Sequence, residues 1–149
     1  MTENHLKILF RHDAFEGNDI ESAWATREGE FYKLDNILFY AKEFSWGDLI
    51  KAKLINDELY VDVLVKESGH STVRILFENV NDVQSTRDQL KSMECDSELS
   101  NYEKLVAVDI PPSVYYSDIV KYLDEGEKVD KWEYQEACIS THHKTQKKN

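Results

Sequence analysis

The sequence has little of what marks several large classes of protein. It holds two cysteines, two prolines and five glycines in 149 residues, and it has no run of about 18 apolar residues, the length that a membrane-spanning helix needs. Its first residues, MTENHLKILFRHD, lack the basic segment and apolar stretch of a signal peptide. We therefore expect a cytoplasmic protein that does not bind a membrane.

The scarce cysteines also argue against a metal site. Cys95 and Cys138 lie far apart, form no CxxC pair, and have no histidine at the spacing of a zinc ligand. In a reducing cytosol we expect both to be structural free thiols. The phosphate-binding pattern GxxxxGKS/T is absent as well, so the sequence predicts neither a metal nor a cofactor.

Positive charge is scarce relative to negative charge. The chain has 18 Lys and Arg residues against 29 Asp and Glu, a formal net charge of −11 at pH 7. A field of this sign repels phosphate backbones, so we do not expect a nucleic acid partner. It attracts basic proteins, with an attraction that weakens as salt rises. An acidic surface that only maintains solubility is the alternative.

What is present suits one folded domain. With 41% hydrophobic and 32% charged residues, the composition is that of an ordinary globular protein of one-domain length. We predict a single compact domain over residues 1–139, followed by a disordered tail over residues 140–149, STHHKTQKKN.

The first part of this domain, residues 1–71, is predicted to be mainly β. The run HLKILFRH alternates, with Leu6, Ile8 and Phe10 on one face. The turn signals REGE and NDE then separate further alternating runs. Five or six short strands with tight turns predict a curled antiparallel sheet or partial barrel.

The second part, residues 72–139, changes to a helical period. One helix is predicted to begin at Asn81 or Asp82, and another near Pro112, with Gly126 just after its last turn. The runs TVRILF, KLVAVDI and KWEYQEACI are predicted strands. The order β-α-β-α-β indicates both helices on one face of a small sheet, as in α/β plaits, and an α+β fold for the whole chain.

The stretch KESGHSTVRILF is the most enzyme-like part of the sequence. His70 could serve as a general base beside Ser71, but neighbours on a strand point to opposite faces, so this pair is badly placed for catalysis. His70, Thr72 and Arg74 would share one face, which together with Asp35 suits a small-molecule-binding or hydrolytic site. A structural turn followed by a strand is the interpretation that we favour.

Two other segments have both a structural and a functional interpretation. The aromatic run LDNILFYAKEFSWGDLIKA could line a ligand pocket, but core is the more common place for such residues. Asp109, at the end of LVAVDIPP, either points into a cleft or caps the helix that begins near Pro112. We favour core for the first and the helix cap for the second.

Acidic stretches interleaved with aromatic residues are the best indication of a partner. In ECDSELSNYE and DEGEKVDKWEYQE, charge would speed the encounter with a basic protein and the aromatic residues would hold it. Solvated helix ends and loops are the alternative. The predicted partner-binding residues are Glu94, Asp96, Glu98, Tyr102, Glu103, Asp124, Glu125, Glu127, Asp130, Trp132 and Tyr134.

Several stretches in this order, ESAWA, YKLDNILFYA, WGDLIKA, ESGHSTVRI, LVAVDIPP and WEYQEAC, resemble the uncharacterised bacterial proteins of domain-of-unknown-function family 4265. The resemblance spans residues 20–139. It implies no activity, because none is established for the family. It implies that a set of positions belongs to the shared framework of the family, namely Asp35, Asn36, Gly47, Asp48, Gly69, His70, Ser71, Thr72 and Arg74.

These observations together favour a small protein-binding module that is not an enzyme. Its small size, its acidity and its aromatic residues among acids fit an immunity protein that occludes the basic active site of a nuclease-type toxin domain. A small-molecule-binding or hydrolytic domain that uses Asp35, His70, Thr72 and Arg74 is the alternative. A structural or regulatory interaction module is a third interpretation.

Overall fold

The computed structural model describes residues 5–12 and 19–146, which form a barrel followed by a sheet covered by helices. The predicted α+β class is confirmed. Within the described residues, no helix is both long enough and apolar enough to cross a membrane.

The N-terminal half is a closed barrel of five strands. They are β1 (His5–His12), β2 (Asp19–Glu28), β3 (Phe31–Leu34), β4 (Leu49–Ile55) and β5 (Glu58–Lys66). Strands that follow each other in the chain pair antiparallel, and a parallel contact between Leu9 and Tyr60 closes the barrel between β1 and β5. The curled sheet predicted from the alternating pattern is therefore confirmed, and it closes fully.

Large and small side chains face each other inside the barrel. Ile8 of β1 lies opposite Ala23 of β2, and both are buried. Phe10, Leu34 and Ile50 complete the interior with them. A narrow barrel has room for few side chains, so the alanines of β2 make space for the larger residues across from them.

The C-terminal half has the strand and helix order of an α/β plait. It consists of β6 (Ser71–Phe77), α1 (Val83–Ser92), β7 (Asp96–Leu99), β8 (Leu105–Ile110), α2 (Tyr116–Lys128) and β9 (Trp132–Cys138). The sheet order is β7-β8-β6-β9, with every neighbouring pair antiparallel. Both helices pack on the face that carries Val73 and Ile75. The opposite face, which carries Thr72 and Arg74, is called the open face below.

The structure differs from the predicted β-α-β-α-β order by one strand. Glu94 takes a left-handed conformation, with φ of 69°, and turns the chain back after α1. The segment DSEL then pairs with β8 as β7, placing Asp96 opposite Asp109. DSEL has too little apolar alternation for a strand to be predicted from it. Similarly, α2 begins at Tyr116 instead of near Pro112.

The prediction of a disordered tail is wrong for residues 140–146. Residues Thr141–Thr145 form a short helix, α3, and Ser140 caps it by accepting a hydrogen bond from the backbone of His143 at 3.1 Å. The side chain of Gln146 accepts a hydrogen bond from the backbone of Tyr116 at 2.9 Å. Residues 147–149 lie outside the described residues.

Gly126 lies inside α2, whereas the sequence analysis predicted that it follows the end of the helix. A Cβ atom at this position would lie 2.0 Å from Cζ2 of Trp132. The indole of Trp132 also donates a hydrogen bond from Nε1 to the carbonyl of Leu123 at 2.9 Å, which holds the ring against the helix. The close approach of α2 to β9 therefore requires glycine at this position.

We expect Gly126→Ala to lower the free energy of unfolding by about 1–3 kcal/mol, because the added methyl group overlaps the indole ring. The sign is informative, since alanine in a helix is otherwise favoured over glycine by about 1 kcal/mol. Urea unfolding measures the change. Glu125→Ala, at the exposed neighbouring position, should stay within about 0.5 kcal/mol of the parent. A Gly126→Ala variant as stable as the parent would contradict the packing.

Candidate functional site

The segment of residues 35–48, called the crossing segment below, lies across the open face of the sheet. The hydroxyl of Ser45 lies 3.0 Å from that of Thr72, and the carbonyl of Phe39 accepts a hydrogen bond from the guanidinium of Arg74. The carboxylate of Glu21 accepts three backbone hydrogen bonds from residues 39–41, at 2.6 to 3.0 Å. The crossing segment is thus anchored to both the barrel and the sheet, and a cavity lies beside it at two places.

The larger cavity, called the groove below, has a volume of about 1120 Å³. Its walls come from the barrel, the crossing segment, and the open face at β6, β8 and β9. Three large apolar side chains in it remain exposed, Ile20 by 46%, Leu76 by 42% and Tyr102 by 52%. Carboxylates of Asp19, Glu21 and Glu133 lie among them.

The predicted partner-binding residues separate into two groups. The group from Glu94 to Glu103 lies at the β7 edge of the sheet, and the group from Asp124 to Tyr134 lies at the β9 edge. All the carboxylates in both groups are exposed. Tyr102 and Tyr134 both border the groove that lies between the edges, but the side chain of Tyr134 faces the helices.

Trp132 is the one predicted partner-binding residue that the structure removes from the surface. It is 4% exposed and packs edge-on against Phe77 in the helix-side core. The alternation of β9 places it there, because residue 132 faces the helices while residue 133 faces the groove. Tyr134 remains partly exposed, and its hydroxyl donates to Asp124 at 2.6 Å. Burial, followed by the bond to Asp124, raises the pKa of Tyr134.

The smaller cavity, called the His70 cavity below, has a volume of about 490 Å³. Nδ1 of His70 lies 2.9 and 3.0 Å from the two carboxylate oxygens of Asp109. The ring of Trp46 lies beside the imidazole, with 4.9 Å between centroids. Asp35 lines the same cavity from the start of the crossing segment.

The structure brings together only part of the predicted polar site. Asp35 and His70 meet in the His70 cavity, but Thr72 and Arg74 do not line it. Thr72 is buried against Ser45, and the guanidinium of Arg74 lies in the floor of the groove. Burial lowers the pKa of Arg74, and the nearby carboxylate of Glu21 opposes this effect. Thr72 and Arg74 do share a face of β6, and that face is occupied by the crossing segment.

Asp109 is a cavity-lining residue that the sequence interpretation placed wrongly. We favoured a helix cap for it, whereas its carboxylate binds His70 and α2 begins with no side-chain cap. Its position near the end of a buried strand, one residue before two prolines, was the only signal for a cleft residue. Trp46 was likewise expected in the core, and it lines the cavity instead.

Ser71 forms a hydrogen-bonded pair with His143, and not with its sequence neighbour His70. Its hydroxyl lies 2.6 Å from Nδ1 of His143 in α3. Nε2 of His143 donates to the carbonyl of Pro111 at 3.0 Å, so Nδ1 accepts the proton of Ser71. Both side chains are buried. The pair fastens α3 beneath β6, and no substrate reaches the hydroxyl.

The described part of the chain contains no group of three or more His, Cys, Asp or Glu side chains placed to hold a metal ion. Both cysteines are free thiols. Burial raises the pKa of Cys95 to about 12, which keeps its thiol protonated and unreactive.

Comparison with known proteins gives a grouping and a fold. A family model described as "Domain of unknown function (DUF4265)" matches residues 21–134. No curated protein matches the chain. A solved structure, described as a hypothetical protein from Neisseria gonorrhoeae, is 21% identical with a TM-score of 0.79, over 91% of this chain and 95% of that one. At this identity the likeness shows the fold alone.

Acidification is expected to weaken the docking of α3. Burial lowers the pKa of His143, and the neighbouring His142 lowers it further, against the hydrogen bond to Pro111. The neutral form therefore stabilises the fold fully above the ordinary histidine pKa of about 6.5. This contribution is lost as the pH falls through the lower folded-state pKa.

Urea unfolding between about pH 7.5 and pH 5 measures this loss. The stability of the parent should fall more steeply than that of His143→Gln, whose side chain does not titrate. The exposed neighbour supplies an intermediate case, because His142→Gln removes one of the charges that lower the pKa of His143 and should therefore reduce the pH dependence without abolishing it. Equal slopes for the parent and His143→Gln would show that α3 docking is independent of this proton.

Proposed function

We propose that this chain, which belongs to the uncharacterised family DUF4265, is a protein-binding module that docks a basic partner in the groove. More specifically, we propose an immunity protein that neutralises a nuclease-type toxin domain by covering its active site. The proposal does not require catalysis by the chain itself, and it does not concern the His70 cavity.

The single observation that carries the proposal is the exposed apolar cluster of Ile20, Leu76 and Tyr102 inside an acidic groove. Apolar residues that remain exposed together in a concave surface and are rimmed by polar groups mark interaction sites. Aromatic anchors in such a position commonly carry most of the binding energy. The carboxylates of Asp19, Glu21 and Glu133 make the same surface complementary to a positively charged one.

Charge and apolar contact have different parts in this mechanism. The net charge of −11 and the exposed carboxylates at both sheet edges speed the encounter with a basic surface. The apolar cluster then slows dissociation, because separating the two proteins exposes its buried surface to water again. A nuclease site is rich in basic side chains that hold phosphates, so an acidic partner seated on it excludes the nucleic acid.

Co-expression with the product of the neighbouring gene tests the proposal. We expect a stable complex and protection of the cells from that product. Tyr102→Ala should weaken the complex by about 2 kcal/mol, roughly 30-fold, mainly through faster dissociation. Glu133→Lys should instead slow association, with a smaller effect at high salt. Surface plasmon resonance separates the two rates.

Glu30→Lys is the matched control for Glu133→Lys. It makes the same charge change in the turn between β2 and β3, and Glu30 does not line the groove. If Glu30→Lys slowed association as much as Glu133→Lys, the attraction would belong to the net charge and not to the groove. The absence of both complex and protection would reject the immunity role.

A further inference from the structure

The His70 cavity has the size of a small-molecule site. Its volume of about 490 Å³ falls within the range of about 300–1,000 Å³ that such sites usually have. Five separate parts of the chain build it, namely residues 35–37, Trp46, His70, residues 96–98 and the end of β8 with Pro111. It shares no lining residue with the groove, so the two places can be occupied independently.

The His70–Asp109 pair leaves one hydrogen-bond acceptor at this cavity. A carboxylate oxygen only accepts hydrogen bonds, so Nδ1 of His70 carries the proton that lies between the ring and Asp109. In the neutral ring Nε2 is then an acceptor. Among the described residues, none donates to Nε2. The side chains of His70 and Asp109 are 16% and 9% exposed, so the pair is largely shielded from water.

The charged side chains that line the cavity, besides His70, are carboxylates, and the side-chain NH2 group of Asn36 is a donor among them. Asp35 and Glu98 contribute carboxylates, and the carbonyl oxygen of Asn36 is already bound to the backbone of Trp24. The carboxylate of Asp96 is neutralised by Lys91. The hydroxyl of Ser97 accepts a hydrogen bond from Arg87 at 2.8 Å.

Arg87 is bound to Ser97, and three further basic side chains in the neighbourhood do not line the cavity either. Lys91 is paired with Asp96, and Nε2 of His5 lies 3.5 Å from Asp35. Nζ of Lys33 lies 5.8 Å from the centroid of the Trp46 ring, over one of its faces. None of the three lines the cavity. Glu98 and Asp109 therefore keep the interior negative, which disfavours an anionic ligand.

We propose that the His70 cavity binds a small organic cation, an alkylguanidinium or alkylammonium group. Such a group is rich in donors, which Nε2 of His70 and the carboxylates of Asp35 and Glu98 can accept. Its alkyl part packs against the ring of Trp46 and the side chain of Ile37. This site does not rest on the proposed immunity function.

Two ligands of the same shape and different charge test the proposal directly. Butylguanidinium and butylurea are titrated into the protein at an ionic strength of about 0.15 M, where diffuse attraction is screened. The side-chain NMR signals of Trp46 and His70 report the site. We expect butylguanidinium to shift both signals and to bind at least about tenfold more tightly than butylurea. Equal affinities, or signals that neither ligand shifts, would overturn the proposal.

Charge-neutralising variants then locate the cation. Asp35→Asn and Glu98→Gln should each weaken butylguanidinium binding by about tenfold while leaving butylurea unchanged, because each removes one charge-assisted hydrogen bond. Both residues are partly or fully exposed, so the fold should tolerate the changes. Glu30→Gln, which removes a charge away from the cavity, should have no effect. An equal loss in all three variants would reject a defined site.

A last experiment distinguishes a cationic side chain of a protein from a free small molecule as the ligand. A blocked peptide with one arginine between alanines carries the same group on a protein backbone. If the peptide binds as tightly as butylguanidinium, the cavity takes a basic side chain of a protein. If the peptide binds much more weakly, the cavity takes a free small molecule. Both results support a cationic ligand. If neither the peptide nor butylguanidinium binds, the proposal of a cationic ligand is rejected.

Discussion

The buried carboxylate of Asp48 is the interaction on which the rest of the structure depends. It accepts hydrogen bonds from the backbone of Ser45 and of Ser68, at 2.9 and 2.8 Å, and from the hydroxyl of Ser68 at 3.0 Å. Burial raises the pKa of Asp48, and these hydrogen bonds oppose that effect. The crossing segment is thereby tied to the turn that enters β6. This tie holds in place the part of the His70 cavity wall that residues 35–37 and Trp46 supply.

The same segment produces two cavities of different chemistry because it divides the open face of the sheet. Toward β9 it leaves Leu76 uncovered beside Glu133, which gives a wide apolar and acidic groove suited to a protein surface. Toward β7 it places Trp46 over the His70–Asp109 pair, which gives a smaller cavity lined by acceptors. The two cavities can therefore be altered separately, since a change in one leaves the wall residues of the other unaltered.

The sequence pattern predicted those features that depend only on residues close together in the chain. Alternation in β1 placed Ile8 and Phe10 inside the barrel, and the NDE turn appears as Asn56 and Asp57 with φ of 51° and 67°. Contacts between distant residues escaped prediction. Asp109 binds His70, which lies 39 positions earlier in the sequence. No residue near Asp109 in the sequence indicates this partner. Strand β7 forms by pairing with the edge of β8, and α3 is held by the hydrogen bond between His143 and Ser71. Neither element can therefore be predicted from its own residues.

The stretch SGHSTVR shows how one polar run serves several structural purposes at once. Because successive side chains on a strand point to opposite faces, Ser71 binds α3 on the helix side while Thr72 and Arg74 hold the crossing segment on the open side. Together with Ser68, which binds Asp48, four of its polar side chains are thus committed to the fold. His70, at the turn before the strand, is the member with a ring nitrogen that no described residue occupies. His70 is therefore the residue of this stretch that stays available to a ligand, and Asp109 orients its ring.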